Sequence, residues 1–149
     1  MSYPRRRVFW AFFFCPLAAG GGIGIVKFLY FLAHLVSTPK LIGEVRVEEF
    51  FIMPIVLPLV AQLGFFLPFS AFAMVVSLME VYKRPRTCTL VGLVGGSLAT
   101  VWSLLFVVVV ALGLKNAHLA SYVVEMLVIF LGSTVTCWLA AIFFLPEYS

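Results

Sequence analysis

Four long apolar runs, separated by short polar connectors, make up almost the whole chain. They cover residues 8–36, 50–78, 88–114 and 119–145. A helix needs about 20 apolar residues to cross the hydrocarbon core of a bilayer, so each run is long enough for one crossing. Strands of a membrane barrel would alternate polar and apolar residues, and these runs do not alternate. The pattern predicts an all-α integral membrane protein, a single domain over residues 1–149 whose four transmembrane helices form an up-down bundle.

The composition argues against a water-soluble fold. Hydrophobic residues make up 64% of the chain and charged residues only 11%, whereas a soluble domain carries about 25% charged residues. The basic residues lie at the ends of apolar runs, and they do not form the continuous basic face with aromatics that nucleic-acid binding requires. The expected partners are therefore the lipid bilayer and other membrane helices, with no nucleic acid.

The basic residues are distributed unevenly between the two predicted sides of the membrane. One side has six of them, Arg5, Arg6, Arg7, Lys83, Arg84 and Arg86, and the other side has three, Lys40, Arg46 and Lys115. Connectors rich in Lys and Arg stay on the cytoplasmic side during insertion. This asymmetry predicts a multi-pass membrane protein with both termini in the cytoplasm.

Small residues recur at intervals of four in the first and third runs. Gly20 and Gly24 are so spaced in the first run, and the third run repeats the spacing twice, in Gly92 with Gly96 and Gly95 with Ala99. Small residues four apart let another helix approach the backbone closely. Both faces are predicted to be helix-packing seams, and the spacing leaves open whether the partner helix belongs to this chain or to another.

The second run is rich in residues that disturb a helix. It contains Pro54, Pro58 and Pro68, together with the polar Gln62. Each proline lacks an amide hydrogen, so the carbonyl four residues earlier loses its helical partner. The run is predicted to form a proline-kinked helix. The kink either shapes the bundle or, with its exposed carbonyls and Gln62, lines a transport pathway.

Two charged residues fall inside apolar runs. Lys27 lies nine residues before Val36, about 13 Å along a helix, and Glu125 lies seven residues after His118, about 10 Å along a helix. Their predicted depths match, and the first and last helices of an up-down bundle are usually neighbours. The pattern predicts an intramembrane charge pair between Lys27 and Glu125. The alternatives are that each side chain reaches the interface independently or that the two serve a proton or ion pathway.

The chain has few groups that hold cofactors. His34 and His118 fall at predicted membrane boundaries, where water can satisfy an imidazole, and Cys15, Cys88 and Cys137 have no close metal-ligand spacing. Hydrolase, metalloprotease and phosphate-loop motifs are also absent from the sequence. We therefore expect no enzymatic activity, no metal and no cofactor, although a redox subunit with His34 or His118 as ligands is a third, weaker alternative.

The favoured function is a noncatalytic subunit that packs against other membrane proteins in a larger complex. The alternative is a homo-oligomeric small transporter or channel that uses Glu125, Gln62 and the kinked second helix. In length and number of spans the chain resembles the small multidrug exporters, which are dimers built around an acid in the first helix. This chain has Lys27 and no acid in its first run, so the resemblance carries over no residue roles.

Overall fold

The computed structural model describes residues 3–37, 47–113 and 122–147. This part of the chain is helical and contains no strand; a single isolated bridge joins Lys83 to Glu147. The six helices are α1 (Arg5–Phe13), α2 (Cys15–Ser37), α3 (Val47–Gly64), α4 (Phe66–Leu78), α5 (Pro85–Gly113) and α6 (Val123–Phe144). The all-helical prediction is confirmed.

Several of these helices are long and apolar enough to cross a membrane. Three stretches qualify: Arg5–His34, which combines α1 with most of α2, Pro85–Val109 and Val123–Phe144. A fourth stretch consists of two helices, Pro54–Gly64 and Phe66–Leu78, which meet at an angle of 68°. The described chain therefore has three membrane-length helices, or four if the bent pair makes one crossing. The up-down arrangement of four spans stays a prediction.

The first apolar run is interrupted near its start. It was expected to be one helix over residues 8–36, but α1 ends at Phe13 and α2 begins at Cys15. Pro16 lies in the first turn of α2 and has no amide hydrogen for the carbonyl of Phe12. The sequence interpretation considered the prolines of the second run and overlooked this one.

The bend in the second run lies at Phe65, between α3 and α4. Pro54 and Pro58 are accommodated inside α3, whereas Pro68 lies in the first turn of α4. Pro68 cannot donate a hydrogen bond to the carbonyl of Gly64, and this missing bond coincides with the bend. Of the three prolines, only Pro68 therefore accompanies a break in the helix.

Each of the six helices packs against at least two others. α1 packs against α4, α2 against α3, and α5 against α6; α6 also contacts α1 and α2, and α4 contacts α5. The first and last apolar runs are thus neighbours. The first two runs pack against each other through α1 with α4 and α2 with α3, and each run is interrupted, at Phe14 and at Phe65.

Residues 3–7, 80–86 and 145–147 meet at one end of the molecule, which we call the basic end. The Tyr3 hydroxyl donates to the Val81 carbonyl at 2.9 Å, and Arg5 pairs with Glu80 at 2.6 Å. Burial, with smaller effects from Tyr82 and Glu80, raises the pKa of Tyr3. Lys83 pairs with Glu147 at 3.1 Å and its backbone amide donates to Pro146. These contacts bring the two ends of the described chain together.

The buried core lies in the half of the molecule nearer the basic end. Its members are Val8, Phe12, Cys15, Phe69, Phe72, Ala73, Val76, Cys88, Val91, Ala99, Cys137, Ala141 and Leu145. In the opposite half large side chains face outward, and Tyr30, Leu63 and Val124 are each more than 70% exposed. Exposed apolar side chains such as Met79 and Phe143 are present in the half nearer the basic end as well, so the two halves differ in their buried side chains and not in having apolar faces.

Candidate functional site

The glycines of α5 form a close contact with α6 of the same chain. A Cβ atom at Gly92 would lie 3.0 Å from the Cβ of Trp138, and one at Gly95 would lie 2.5 Å from the Sγ of Cys137. At Gly96 it would overlap the hydroxyl of Thr134 and lie 3.0 Å from the carbonyl oxygen of Phe130. Ala99 continues this face and is fully buried. The third run therefore uses its small residues within the chain.

The glycines of the first run have a similar environment. A Cβ atom at Gly20 would lie 2.7 Å from the Cβ of Ala61 and 3.0 Å from the carbonyl oxygen of Leu57. Gly24, one turn further along α2, is also buried. The contact of Gly20 lies between α2 and α3, again inside the chain. Neither Gly20 nor the α5 glycines are therefore available for close packing against a second protein.

Gln62, which lies near the end of α3, forms a hydrogen bond to the end of α1. Its amide nitrogen Nε2 donates to the carbonyl of Phe13 at 3.1 Å. Phe13 is the last residue of α1, and carbonyls in the last turn of a helix lack helical partners. The Oε1 atom of Gln62 is buried and has no hydrogen-bond partner in the described chain. Gln62 thus caps the break in the first run, and one acceptor remains unsatisfied there.

Trp102 performs the corresponding role at the second break. Its indole nitrogen donates to the carbonyl of Gly64 at 2.9 Å. This is the carbonyl that would bond to residue 68 if that residue were not proline. A tryptophan in the middle of an apolar run, away from the membrane interface, indicates that its N–H has an acceptor. This signal in the sequence was missed.

The cavity nearest the breaks is apolar. It has a volume of about 190 Å³ and lies among α2, α3, α4 and α6, lined in part by Gly20, Leu57, Phe65 and Ser133. Pro58, Pro54 and Pro68 do not line it, and neither does Gln62. A cavity of this kind offers few ligands to an ion.

Lys27 and Glu125 both lie on exposed faces of their helices. No ion pair within 4.0 Å is described between Lys27 and Glu125. The ion pairs described are Arg5–Glu80 and Lys83–Glu147. Glu125 lies in the first turn of α6, where the positive end of the helix dipole stabilises a carboxylate. Residues 119–121, the predicted start of the fourth run, lie outside the described part of the chain. The Lys27–Glu125 pair stays a prediction.

The histidine ligands of the redox alternative are only partly described. His34 is exposed near the end of α2, and its ring stacks on that of Tyr30 with centroids 6.5 Å apart. His118 lies outside the described residues. Within the described ranges, no three His, Cys, Asp or Glu side chains are close enough together to hold a metal ion.

A groove on the outer face of α5 and α6 opens at the basic end. We call it the α5–α6 groove; its volume is about 870 Å³. Charged residues at its mouth and apolar residues in its wall give it an amphipathic lining, which includes Lys83, Arg84, Arg86, Glu147, Trp138 and Ile142. The sequence interpretation treated these cations only as an orientation signal. Their proximity to Trp138 results from the packing of α6 against α5, which the sequence does not show.

Comparison of the chain with protein-family models, curated proteins and solved structures finds no match. Its function has to be argued from the geometry of its own residues.

Proposed function

We propose that this protein is a noncatalytic integral membrane subunit that packs against other membrane proteins in a larger complex. The observation that carries the proposal is the position of Lys27, a charged side chain on an exposed apolar face with no ion pair to the described chain. A lysine at the centre of a membrane helix costs about 2.5–3.5 kcal/mol. A complementary charge on a partner helix would offset part of this cost.

The distribution of packing supports the same function. The glycine seams and the buried core are used within the chain, so a partner would contact the exposed apolar surface, of which the face around Lys27 is one part. Near Lys27 this surface presents Val26 and Tyr30, which are 66% and 76% exposed. An apolar helix with an acidic residue at matching depth fits such a face.

We expect Lys27→Leu to reduce the recovery of a co-purifying membrane protein at least tenfold. Truncating one member of a desolvated charge pair typically costs about 2–5 kcal/mol, because the other charge is left unpaired. The measurement is affinity purification in mild detergent followed by quantitative mass spectrometry. Lys27→Arg is the matched control, since it keeps the charge and should keep the partner.

The same experiment separates the alternatives. Recovery that is equal for Lys27→Leu and Lys27→Arg would contradict the proposed role of the charge. Restoration of folded yield in the double variant Lys27→Leu/Glu125→Leu, after a loss in each single variant, would assign the two residues to one pair instead. Recovery of a pure homo-oligomer would favour a small transporter, which the unsatisfied Gln62 acceptor beside two helix breaks also supports.

We propose further that the basic end faces the cytoplasm, with both termini there. We expect Arg6→Cys to react with a membrane-impermeant maleimide only in inside-out vesicles, and His34→Cys to react in intact cells. The native cysteines Cys15, Cys88 and Cys137 are buried, so the added thiols can be detected against them. Labelling of Arg6→Cys in intact cells would reverse the orientation.

A further inference from the structure

The described lining at the mouth of the α5–α6 groove contains more basic than acidic side chains. Lys83, Arg84 and Arg86 line it, and Glu147 is the acidic residue in the same lining. Glu147 pairs with Lys83 at 3.1 Å, but its side chain is 82% exposed, so a stronger anion can compete for that lysine. The first turn of α5, which begins at Pro85, adds a positive helix terminus beside these side chains.

Below the charged mouth, the groove becomes apolar. Trp138 and Ile142 form part of its wall, and Trp138 also lines a second depression of about 250 Å³ with Leu93 and Val135. Leu93 lies seven residues after Arg86, about 10 Å along α5. The lining therefore changes from cationic to apolar over the distance between a lipid headgroup and the upper part of its acyl chains.

We propose that the α5–α6 groove binds a glycerophospholipid with an anionic headgroup. Lys83 and Arg86 contact the phosphate, and an acyl chain follows Trp138 toward Leu93. Basic pockets between membrane helices are suited to such headgroups, because charge and apolar contact act on one molecule. A free phosphate ion would use only the mouth of the groove. The site lies far from Lys27, so it does not depend on the proposed partner subunit.

A second groove provides a comparison on the same molecule. It lies between α1, α2 and α6 and has a volume of about 520 Å³, and Arg7 is the one cation among its described lining residues. The guanidinium of Arg7 lies over the ring of Phe144, 5.5 Å from its centroid. This groove has the apolar lining without a cluster of cations, so it should not distinguish anionic from zwitterionic lipids.

The test measures lipid binding to the full-length protein in detergent by native mass spectrometry. Dioleoyl phosphatidylglycerol should bind in a 1:1 complex at least tenfold more tightly than dioleoyl phosphatidylcholine. Each juxtamembrane basic residue contributes about fivefold to the attraction of an anionic lipid surface, so Arg86→Gln should weaken phosphatidylglycerol binding by about that factor. Glu147→Gln should strengthen it. Arg6→Gln is the matched control, because it removes the same charge at the basic end outside the groove.

Three results would overturn the proposal. The first is equal binding of the two lipids, and the second is an equal loss in Arg86→Gln and Arg6→Gln, which would indicate a diffuse effect of surface charge. The third is displacement of phosphatidylglycerol by equimolar inorganic phosphate or glycerol phosphate, which would indicate a site for the free anion.

A fluorescence measurement locates the acyl chain independently. Phosphatidylglycerol brominated on its acyl chains should quench part of the tryptophan emission of the unaltered protein, and Trp138→Phe should abolish that part while retaining binding. Quenching that is unchanged in Trp138→Phe would place the lipid elsewhere and contradict the assignment.

Discussion

Gly96→Leu is expected to abolish the folded yield of the protein, and Gly96→Ala to lower its stability by about 1 to 3 kcal/mol, the usual range for overpacking. Any Cβ atom at this position overlaps the hydroxyl of Thr134 and lies 3.0 Å from the carbonyl oxygen of Phe130. The hydroxyl can rotate away, but the carbonyl belongs to the backbone of α6. The two helices would have to separate along their main contact.

The measurement is the thermal unfolding midpoint in detergent, read by size-exclusion chromatography with fluorescence detection. Gly22→Ala is the matched control: it is the same substitution in a helix of the same chain, and beyond the backbone of its own helix no described atom lies within 4 Å of the added methyl group. Because alanine favours a helix over glycine by about 1 kcal/mol, Gly22→Ala should leave the midpoint unchanged or raise it. Similar midpoints for the two variants would mean that the α5–α6 seam is not a close contact.

The glycine seams show how far a membrane sequence predicts packing. The spacing of Gly92 and Gly96 indicates a face for close helix approach, but it does not identify the partner helix. In a soluble bundle the apolar stripe of each helix would point to the core. Here apolar residues are distributed around most of the circumference of α5 and α6, so the pairing of the two helices could be learned only from the structure.

The prolines illustrate a second limit. The all-helical fold and the four apolar runs could be predicted from composition and run length. The position of the bend at Phe65 could not. Pro54, Pro58 and Pro68 each remove one amide hydrogen, so from the sequence alone each was equally expected to bend the helix. The break occurs beside Pro68, where Trp102 from α5 supplies the missing donor. A contact between residues 38 apart in the chain has no signature in local periodicity.

The predicted roles of the candidate site residues stay predictions, but the structure shows where these residues lie along their helices. Lys27 and Glu125 were placed at equal depths by counting residues from assumed ends of the runs, yet Glu125 is in the first turn of α6. Gln62 was considered as a pathway residue; the structure gives its amide nitrogen a hydrogen bond to the carbonyl of Phe13, and the pathway role stays a prediction. Both positions depend on helix ends, and in a uniformly apolar chain a residue count does not locate where a helix begins or breaks.

Trp102→Phe is expected to lower the stability of the protein by about 1 to 3 kcal/mol, the usual cost of leaving a desolvated acceptor unpaired. The substitution keeps an aromatic ring and removes the N–H that donates to the Gly64 carbonyl. Within lipid no water replaces that donor. Trp10→Phe is the matched control, since no hydrogen bond of its indole is described in the structure, and it should have a smaller effect.

Pro68→Ala should rescue Trp102→Phe, because alanine restores an amide hydrogen four residues after Gly64. Alone, Pro68→Ala should cost stability, since Pro68 is buried and its ring is lost. In the double variant the new N–H can bond to the Gly64 carbonyl, so the combined loss in unfolding free energy should be smaller than the sum of the two single losses. A double-mutant cycle on thermal or denaturant unfolding in detergent measures this coupling, which for contacting residues is about 0.5 to 3 kcal/mol. Strict additivity would mean that Trp102 does not satisfy the carbonyl freed by Pro68, and that the bend at Phe65 is maintained by packing alone.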